Sequence, residues 1–317
     1  MQAGRVTLLG GSGFVGQALC ALLAREGREI TVLTRDPRHA RALQTLPLLS
    51  VVRTDPWDTP SLASALRGSE VLINLVGILN ERGDDGSGFQ RVHRELTASA
   101  LAACKSAGVR RYLHMSALNA APNAPSHYLR SKGEAEALVE ASGLHYTLFR
   151  PSVIFGRGDG LFCRFDQLLR LSPVLPLACA GARFQPVFVG DVAAAFVAAL
   201  AQPQTIGQRY DLGGPTVMSL LEIVQRVIAL RGWHRLVLPL GPTASRVMAE
   251  VMEHLPGKPF SRDNLRSASL DSVLPAQAPG LAALGLKATP VGNVLPSMLG
   301  GMNETARHDA RRRLAGR

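Results

Sequence analysis

Cysteine, aromatic residues, acidic residues and long apolar runs are all scarce in this sequence, and each shortage narrows what the chain can be. The four cysteines, Cys20, Cys104, Cys163 and Cys179, show no Cys-x-x-Cys spacing and no histidine at ligand spacing. That argues against a structural zinc or a disulfide framework and leaves them as small, reduced core residues. Aromatics are only 5% of the chain and none interleaves with basic residues, so a stacking surface for single-stranded nucleic acid is not expected. No apolar run reaches the ~18 residues that span a bilayer; residues 71–79 and 192–201 fall short. The polar N-terminus leads at once into a strand, which argues against a cleaved signal. The expected location is therefore the cytoplasm, free or peripheral at the inner face of the membrane.

The shortage of acid has a different meaning. Asp and Glu total 24 against 35 Lys and Arg, a net charge of +11. Part of the excess lies in a C-terminal cluster, Arg307, Arg311, Arg312, Arg313 and Arg317. Such a tail suits anionic lipid, an acidic protein face or, least of the three, nucleic acid; a solvated end is the plain alternative.

What the chain has in abundance is Ala, Leu and Val. Hydrophobic residues make up 46% of its 317 positions, enough for one large α/β domain or a nucleotide-binding domain with a smaller companion. Short apolar runs bounded by Gly, Pro or charge predict strands at 5–10, 29–35, 48–55, 70–77, 110–116, 145–151 and 209–214. Helical spacing predicts helices at 14–25, 62–66, 92–107, 128–141 and 191–201. Strands apolar on both faces, joined by helices, imply a doubly wound parallel-sheet Rossmann fold of α/β class with a smaller, interleaved C-terminal lobe. We read residues 1–155 and 187–214 as the NAD(P)-binding domain. Residues 156–186 and 215–317 form the smaller lobe for substrate or partner and end in the basic tail.

The stretch LLGGSGFVGQAL places Gly10, Gly13 and Gly16 in a Gly-x-x-Gly-x-x-Gly pattern, with Gly11, Gly13 and Gly16 also fitting Gly-x-Gly-x-x-Gly. It follows the first predicted strand and opens a helix, the context in which backbone N–H groups and the positive helix end receive a pyrophosphate. Ser12 and Phe14 complete the loop. At the end of the second strand stand Thr34 and Arg35, followed by Arg38 and Arg41. A guanidinium there holds a ribose 2′-phosphate where an acid would hold a 2′-hydroxyl, so NADP(H) is favoured over NAD(H). Asp55 follows the third strand and suits the adenine amino group, or else starts a turn before Pro56. His93, His114, His127 and His145 have no metal spacing and are read as packing or surface residues. Asp84 and Asp85 are read as a flexible acidic turn, so no metal is expected.

Taken in order, the glycine pattern, NLVG (Asn74 to Gly77), Tyr-x-x-x-Lys (Tyr128, Lys132) and RPSVIFG (Arg150 to Gly156) resemble the extended, epimerase-like short-chain dehydrogenase/reductases. HMSALNA, YLRSKGEAE, FQPVFVGDVA and FSRDNL are similar to a narrower branch, the complex I alpha-subcomplex subunit nine accessory family and its bacterial relatives. The superfamily resemblance implies that Tyr128 exchanges a proton with a substrate oxygen, while Lys132 binds the nicotinamide ribose and lowers the tyrosine pKa. It also implies that Asn74 and Gly77 line the cofactor and that Pro151, Ser152 and Val153 border the nicotinamide. The substrate-binding hydroxyl is where the pattern departs: Ala117 stands at its usual position, leaving Ser116 or Ser126 to serve. Two functions follow from the resemblance. One is an NADP(H)-binding accessory protein supporting NADH:ubiquinone oxidoreductase or its assembly, with complex I or another membrane-associated protein as partner. The other is an NADP-dependent oxidoreductase or nucleotide-sugar epimerase/dehydratase using the Tyr–Lys pair.

Overall fold

A computed structural model describes residues 4–255 and 258–299; the basic C-terminal tail lies outside the described residues. Six strands alternate with helices in the first half: β1 (Arg5–Leu9), β2 (Ile30–Thr34), β3 (Leu49–Arg53), β4 (Ser69–Asn74), β5 (Arg111–Met115) and β6 (His145–Pro151). The short strands β7 (Ile154–Phe155), β8 (Val174–Leu177), β9 (Arg183–Phe184) and β10 (Val187–Phe188) follow, and then β11 (Gln208–Leu212) returns to the sheet. The central sheet runs β11-β6-β5-β4-β1-β2-β3, and all its pairings are parallel. This is the expected doubly wound α/β Rossmann arrangement.

Both faces are covered, which is why the inner strands read as unbroken apolar runs. On one face α1 (Phe14–Arg25) packs beside a later helix, Val189–Ala201, and Leu19, Leu23, Val192 and Phe196 close over Val6, Leu8, Val32 and Phe149. On the other face lie α2 (Thr59–Leu66), a segment built from α3 (Ser87–Phe89), a π-helical turn Gln90–Glu95 and α4 (Leu96–Ala107), and then α5 (His127–Glu140). Leu62, Leu101 and Val139 from these helices cover Leu72, Tyr112 and Leu148. Edge strand β3 is the exception, exposed at three of its five positions.

A third cluster lies outside the sheet. It joins Phe155, Phe162, Leu169, Leu175, Ile223, Val227 and Leu295, drawn from α6 (Phe162–Leu171), α8 (Leu220–Arg231) and α11 (Val291–Met298) among other elements. Helix α7 is the Val189–Ala201 helix already described. The same part of the chain holds β12 (Met218–Ser219), β13 (Leu236–Pro239), α9 (Pro242–Glu253) and α10 (Arg262–Ser267).

Strand order reverses between β4 and β2, on either side of β1. Loops leaving these strands diverge to opposite faces and open a crevice at their C-terminal ends, the place where such folds bind ligands. Near this end of the sheet an ion pair ties α5 to β6. Arg150 donates through Nε to Glu136 Oε1 at 2.7 Å, a second nitrogen reaches Oε2, and Arg209 stands 3.6 Å from the same carboxylate. Glu136 is almost fully buried, so losing its main partner leaves a desolvated charge. Arg150→Met is expected to cost about 3 kcal/mol, read as a lower urea midpoint with an unchanged slope.

Candidate nucleotide site

Glycine chemistry builds the floor of the crevice. Gly10 adopts φ +79°, a backbone region open to glycine, and its Cα faces the backbone of Leu75 and Val76. Gly13 N then donates to Gly10 O at 3.0 Å and closes the turn into α1. A Cβ on Gly16 would lie 2.4 Å from Gly10 O, so only glycine lets the first helical turn sit against the loop. Gly13 caps α1 without a side-chain acceptor, which leaves the first N–H groups facing the crevice. Ser12 and Gly13 lie at its surface, while Phe14 turns its ring toward Gly156. These residues fit a pyrophosphate: a cradle that any side chain would fill, with donors and no acid.

The adenosine end shows an arrangement the sequence reading missed. Arg35 places its guanidinium 5.4 Å from the Trp57 ring centre, and Arg91, from the π-helical turn, lies 4.9 Å from it. Trp57 Nε1 donates to Arg91 O at 3.2 Å and fixes the indole between β3 and that turn. Arg38 does not join them, because its guanidinium grips Asp36 through contacts of 2.7–3.0 Å. Asp36 also caps the 3-10 helix Pro37–Leu43, and its bonds to Arg38 hold its carboxyl well below the usual range. The sequence signal for this acid beside Arg35 is the Asp36-Pro37 step that opens the 3-10 helix. Asp55 accepts from Trp57 N at 3.0 Å, which is the turn geometry read as its alternative.

Asn74 is a correction. It does not line the cleft, being 1% exposed. Its amide donates to Tyr112 and Thr97, and its oxygen accepts from Val76 N at 3.1 Å. It shapes the loop after β4 from behind. Gly77 does lie at the surface, directly over the Lys132 ammonium; a Cβ there would come within 3.1 Å of Nζ. Pro151 and Ser152 are buried, and Ser152 is taken up by Ser272 and Gln185 N, so Val153 alone of that trio is partly exposed.

Lys132 is buried in the middle of the site. Its Nζ donates to Met115 O at 3.1 Å and Val76 O at 3.4 Å, bridging the ends of β5 and β4. Burial brings its pKa down to about 8. Beside it stand two histidines: His114 is the packing residue expected, and His93 is more than that. His93 accepts from Ile78 N through Nε2 at 3.1 Å and meets Ser131 Oγ through Nδ1 at 2.8 Å, while Ser131 donates to Tyr128 O at 2.9 Å. That chain requires a neutral ring protonated on Nδ1. Burial, reinforced by Lys132 and His114, takes its pKa down to about 2. His114 stacks on Tyr112 at 6.0 Å, and burial with Lys132 nearby lowers it to about 3.

Tyr128 lies one turn before Lys132 on α5, edge-on to Phe89 and His93. It also packs with Ala117, Ala121 and Leu129. Among the described residues no hydroxyl hydrogen-bonds its phenol. Ser116 Oγ is buried without a hydrogen-bond partner, and Ser126, fully buried, caps α5 by accepting from Leu129 N. Burial moves the Tyr128 phenol up to about 12, opposite to the lowering expected from Lys132.

Helix α5 is held from far along the chain. Asp263, on α10, accepts from His127 N at 2.7 Å and Tyr128 N at 3.1 Å. Its neighbours grip the loop after β4: Ser261 meets Asn80, Asn264 donates to Leu79 O, and Arg266 pairs with Asp84 at 2.8 Å. So Asp84 is tied down rather than part of a flexible turn, and Asp85 is held by Ser87. Asp84, His127 and Asp263 come within 4.8 Å of one another, but Arg266 pairs with both carboxylates and supplies the positive charge there.

Parallel sheet, glycine cradle and buried lysine together define an NAD(P)H-binding Rossmann protein, and a family model described as NAD(P)H-binding matches residues 10–160. The likeness to NADH dehydrogenase [ubiquinone] 1 alpha subcomplex subunit 9 is broader. The Arabidopsis thaliana protein is 32% identical over 84% of this chain and 68% of its own length, and the Mus musculus protein 30% over 90% and 77%. The chain belongs to that family. A ceramide reductase of Caulobacter vibrioides is 33% identical over 63% of this chain and 62% of its own. Among solved structures, an NADPH-dependent quinone oxidoreductase of Escherichia coli, complexed with NADPH, superposes with TM-score 0.74. It is 20% identical, covers 93% of this chain and 100% of its own, and supports the fold.

Neutral His93 and His114 make the site acid-labile. Both bind a proton near pH 6.5 when unfolded and near 2 and 3 when folded, so stability falls as pH drops through the window below 6.5. Between pH 6.5 and 5 each should cost about 2 kcal/mol. His114→Gln is expected to flatten the pH dependence of thermal unfolding over that interval by roughly half.

Proposed function

We propose that the protein binds NADPH in preference to NADH and acts as a nucleotide-stabilised accessory component of an NADH:ubiquinone oxidoreductase or of its assembly. Residues 156–186 and 215–299 face the partner in this reading. The observation that carries it is the contrast within one site. The cradle and Lys132 are complete, whereas Tyr128 packs on Ala117 and its phenol has no hydrogen-bonded hydroxyl beside it. A phenol near pKa 12 needs about 7 kcal/mol of differential stabilisation to give up its proton at neutrality. Burial sets that value, with no offsetting contribution from Lys132.

When bound, the dinucleotide would bring hydride chemistry. The residues described here do something simpler. Gly10, Gly13 and Gly16 with the α1 N-terminus would receive phosphate, and Lys132, which lies under Gly77, would hold the nicotinamide ribose. Arg35 and Arg91, flanking Trp57, support the NADPH preference, since Asp36 is spent on Arg38 and two guanidiniums remain for a 2′-phosphate. Binding of this kind stabilises the folded state by mass action.

The retained Tyr128–Lys132 pair, together with the likeness to a ceramide reductase, favours a second reading: an NADP-dependent oxidoreductase in which Tyr128 transfers the proton.

Arg35→Ala is expected to weaken NADPH binding by about tenfold or more and to leave NADH nearly unchanged, by titration calorimetry. Equal losses for both nucleotides would remove the basis for the preference. In a strain lacking the gene, Tyr128→Phe should restore membrane NADH:quinone activity. Gly13→Asp, folded by thermal melt, should not. Failure of both, with Tyr128→Phe still binding NADPH, would select the reductase. Normal respiration without the gene would end the accessory reading.

A further inference from the structure

An exposed apolar surface on the α9 side of the protein has no role in the nucleotide site. Strands β8 and β13 pair in parallel, setting Leu236 beside Val174 and Leu238 beside Pro176. Leu175 and Leu177 point inward and are buried, while those four side chains face solvent. Pro176 continues into a shallow groove that it shares with Leu240 and, on α9, Val247, Met248, Val251 and Met252. Val247 is 57% exposed and Val251 58%. These aliphatic and thioether side chains are contiguous, beyond the scattered apolar residues normal on a surface.

We infer that this face docks on the surface of an anionic lipid bilayer. Charge is the argument. Three of the exposed apolar positions have an arginine as sequence neighbour: Arg170 beside Leu171, which is 85% exposed, Arg235 before Leu236 and Arg246 before Val247. The nearby acids are largely neutralised: Asp166 pairs with Arg170 and Arg231, and Glu253 with Arg262. On α9 only Glu250 is both acidic and exposed. Exposed apolar side chains with arginines beside them match acyl chains under anionic headgroups. A second copy is a poor match, because a two-fold interface would set the same cations against each other. The chain beyond residue 299, GGMNETARHDARRRLAGR, is too polar to cover an apolar face. This inference stands whichever role the nucleotide plays. No helix among the described residues is long and apolar enough to cross a membrane, so the contact is interfacial.

The test is sedimentation of the full chain with vesicles of phosphatidylcholine alone or with phosphatidylglycerol added. Wild type is expected to pellet with the anionic vesicles and to be released by salt. Val247→Asp with Val251→Asp should weaken binding about tenfold or more, with melting temperature and NADPH affinity unchanged. The tail is separated by neutralising Arg311, Arg312 and Arg313 to Gln in the full chain, which should leave most of the binding in place. Three results overturn the proposal: no vesicle binding, binding indifferent to the α9 pair but abolished by the tail substitutions, or a lipid-independent dimer that the α9 pair dissociates.

Discussion

One buried ammonium group organises the site. Lys132 sits where β4 and β5 end, with two of its three protons given to backbone carbonyls, and it imposes conditions on everything around it. A charge in so little water must be coordinated, so the loop after β4 turns to present Val76 O, and Asn74 is committed to shaping that turn. It also cannot tolerate a second charge nearby. Burial, reinforced by this charge, keeps His93 and His114 neutral, and His93 becomes a hydrogen-bond link between the loop and α5 instead of an acid or base. The residue above it has no side chain. Together these conditions leave Lys132 as the one charge among itself, His93 and His114 near neutral pH.

The same burial separates two properties that tyrosine–lysine pairs usually combine. In the proposed reading Lys132 holds a ribose whether or not Tyr128 transfers a proton. Ala117 removes the group that would share a substrate oxygen with the phenol, and the aromatic contacts to Phe89 and His93 keep the ring in place without it. Such a site can keep its binding geometry after the demands of turnover are relaxed.

The sheet was legible because its strands are local: short, apolar on both faces and punctuated by glycine and proline, they showed themselves at 5–10, 29–35 and 145–151 much as they stand. The glycine cradle was legible for the same reason, since its contacts span only a few residues. Other features were not. Asn74 matched a motif, yet whether a side chain points into a cleft or behind it depends on Tyr112, 38 residues away. His93 owes its role to a π-helical turn that leaves no mark in a sequence. Trp57 and Arg91 come together only when β3 and that turn are folded side by side. Asp263 shows itself only as part of a Ser261 to Asn264 capping pattern, with nothing to indicate that its carboxylate caps a helix 135 residues earlier.

That last contact bears on the order in which the molecule is made. Domains emerging from the ribosome begin to fold from their N-terminal ends, and the sheet has six of its seven strands by residue 151. The helix carrying Tyr128 and Lys132 nevertheless waits for Asp263 before its first two amides have their acceptor. For more than a hundred residues of synthesis, the nucleotide pocket exists with its most important helix unfinished at one end. A nascent chain is thus kept from completing its site until most of the rest of the protein has been made.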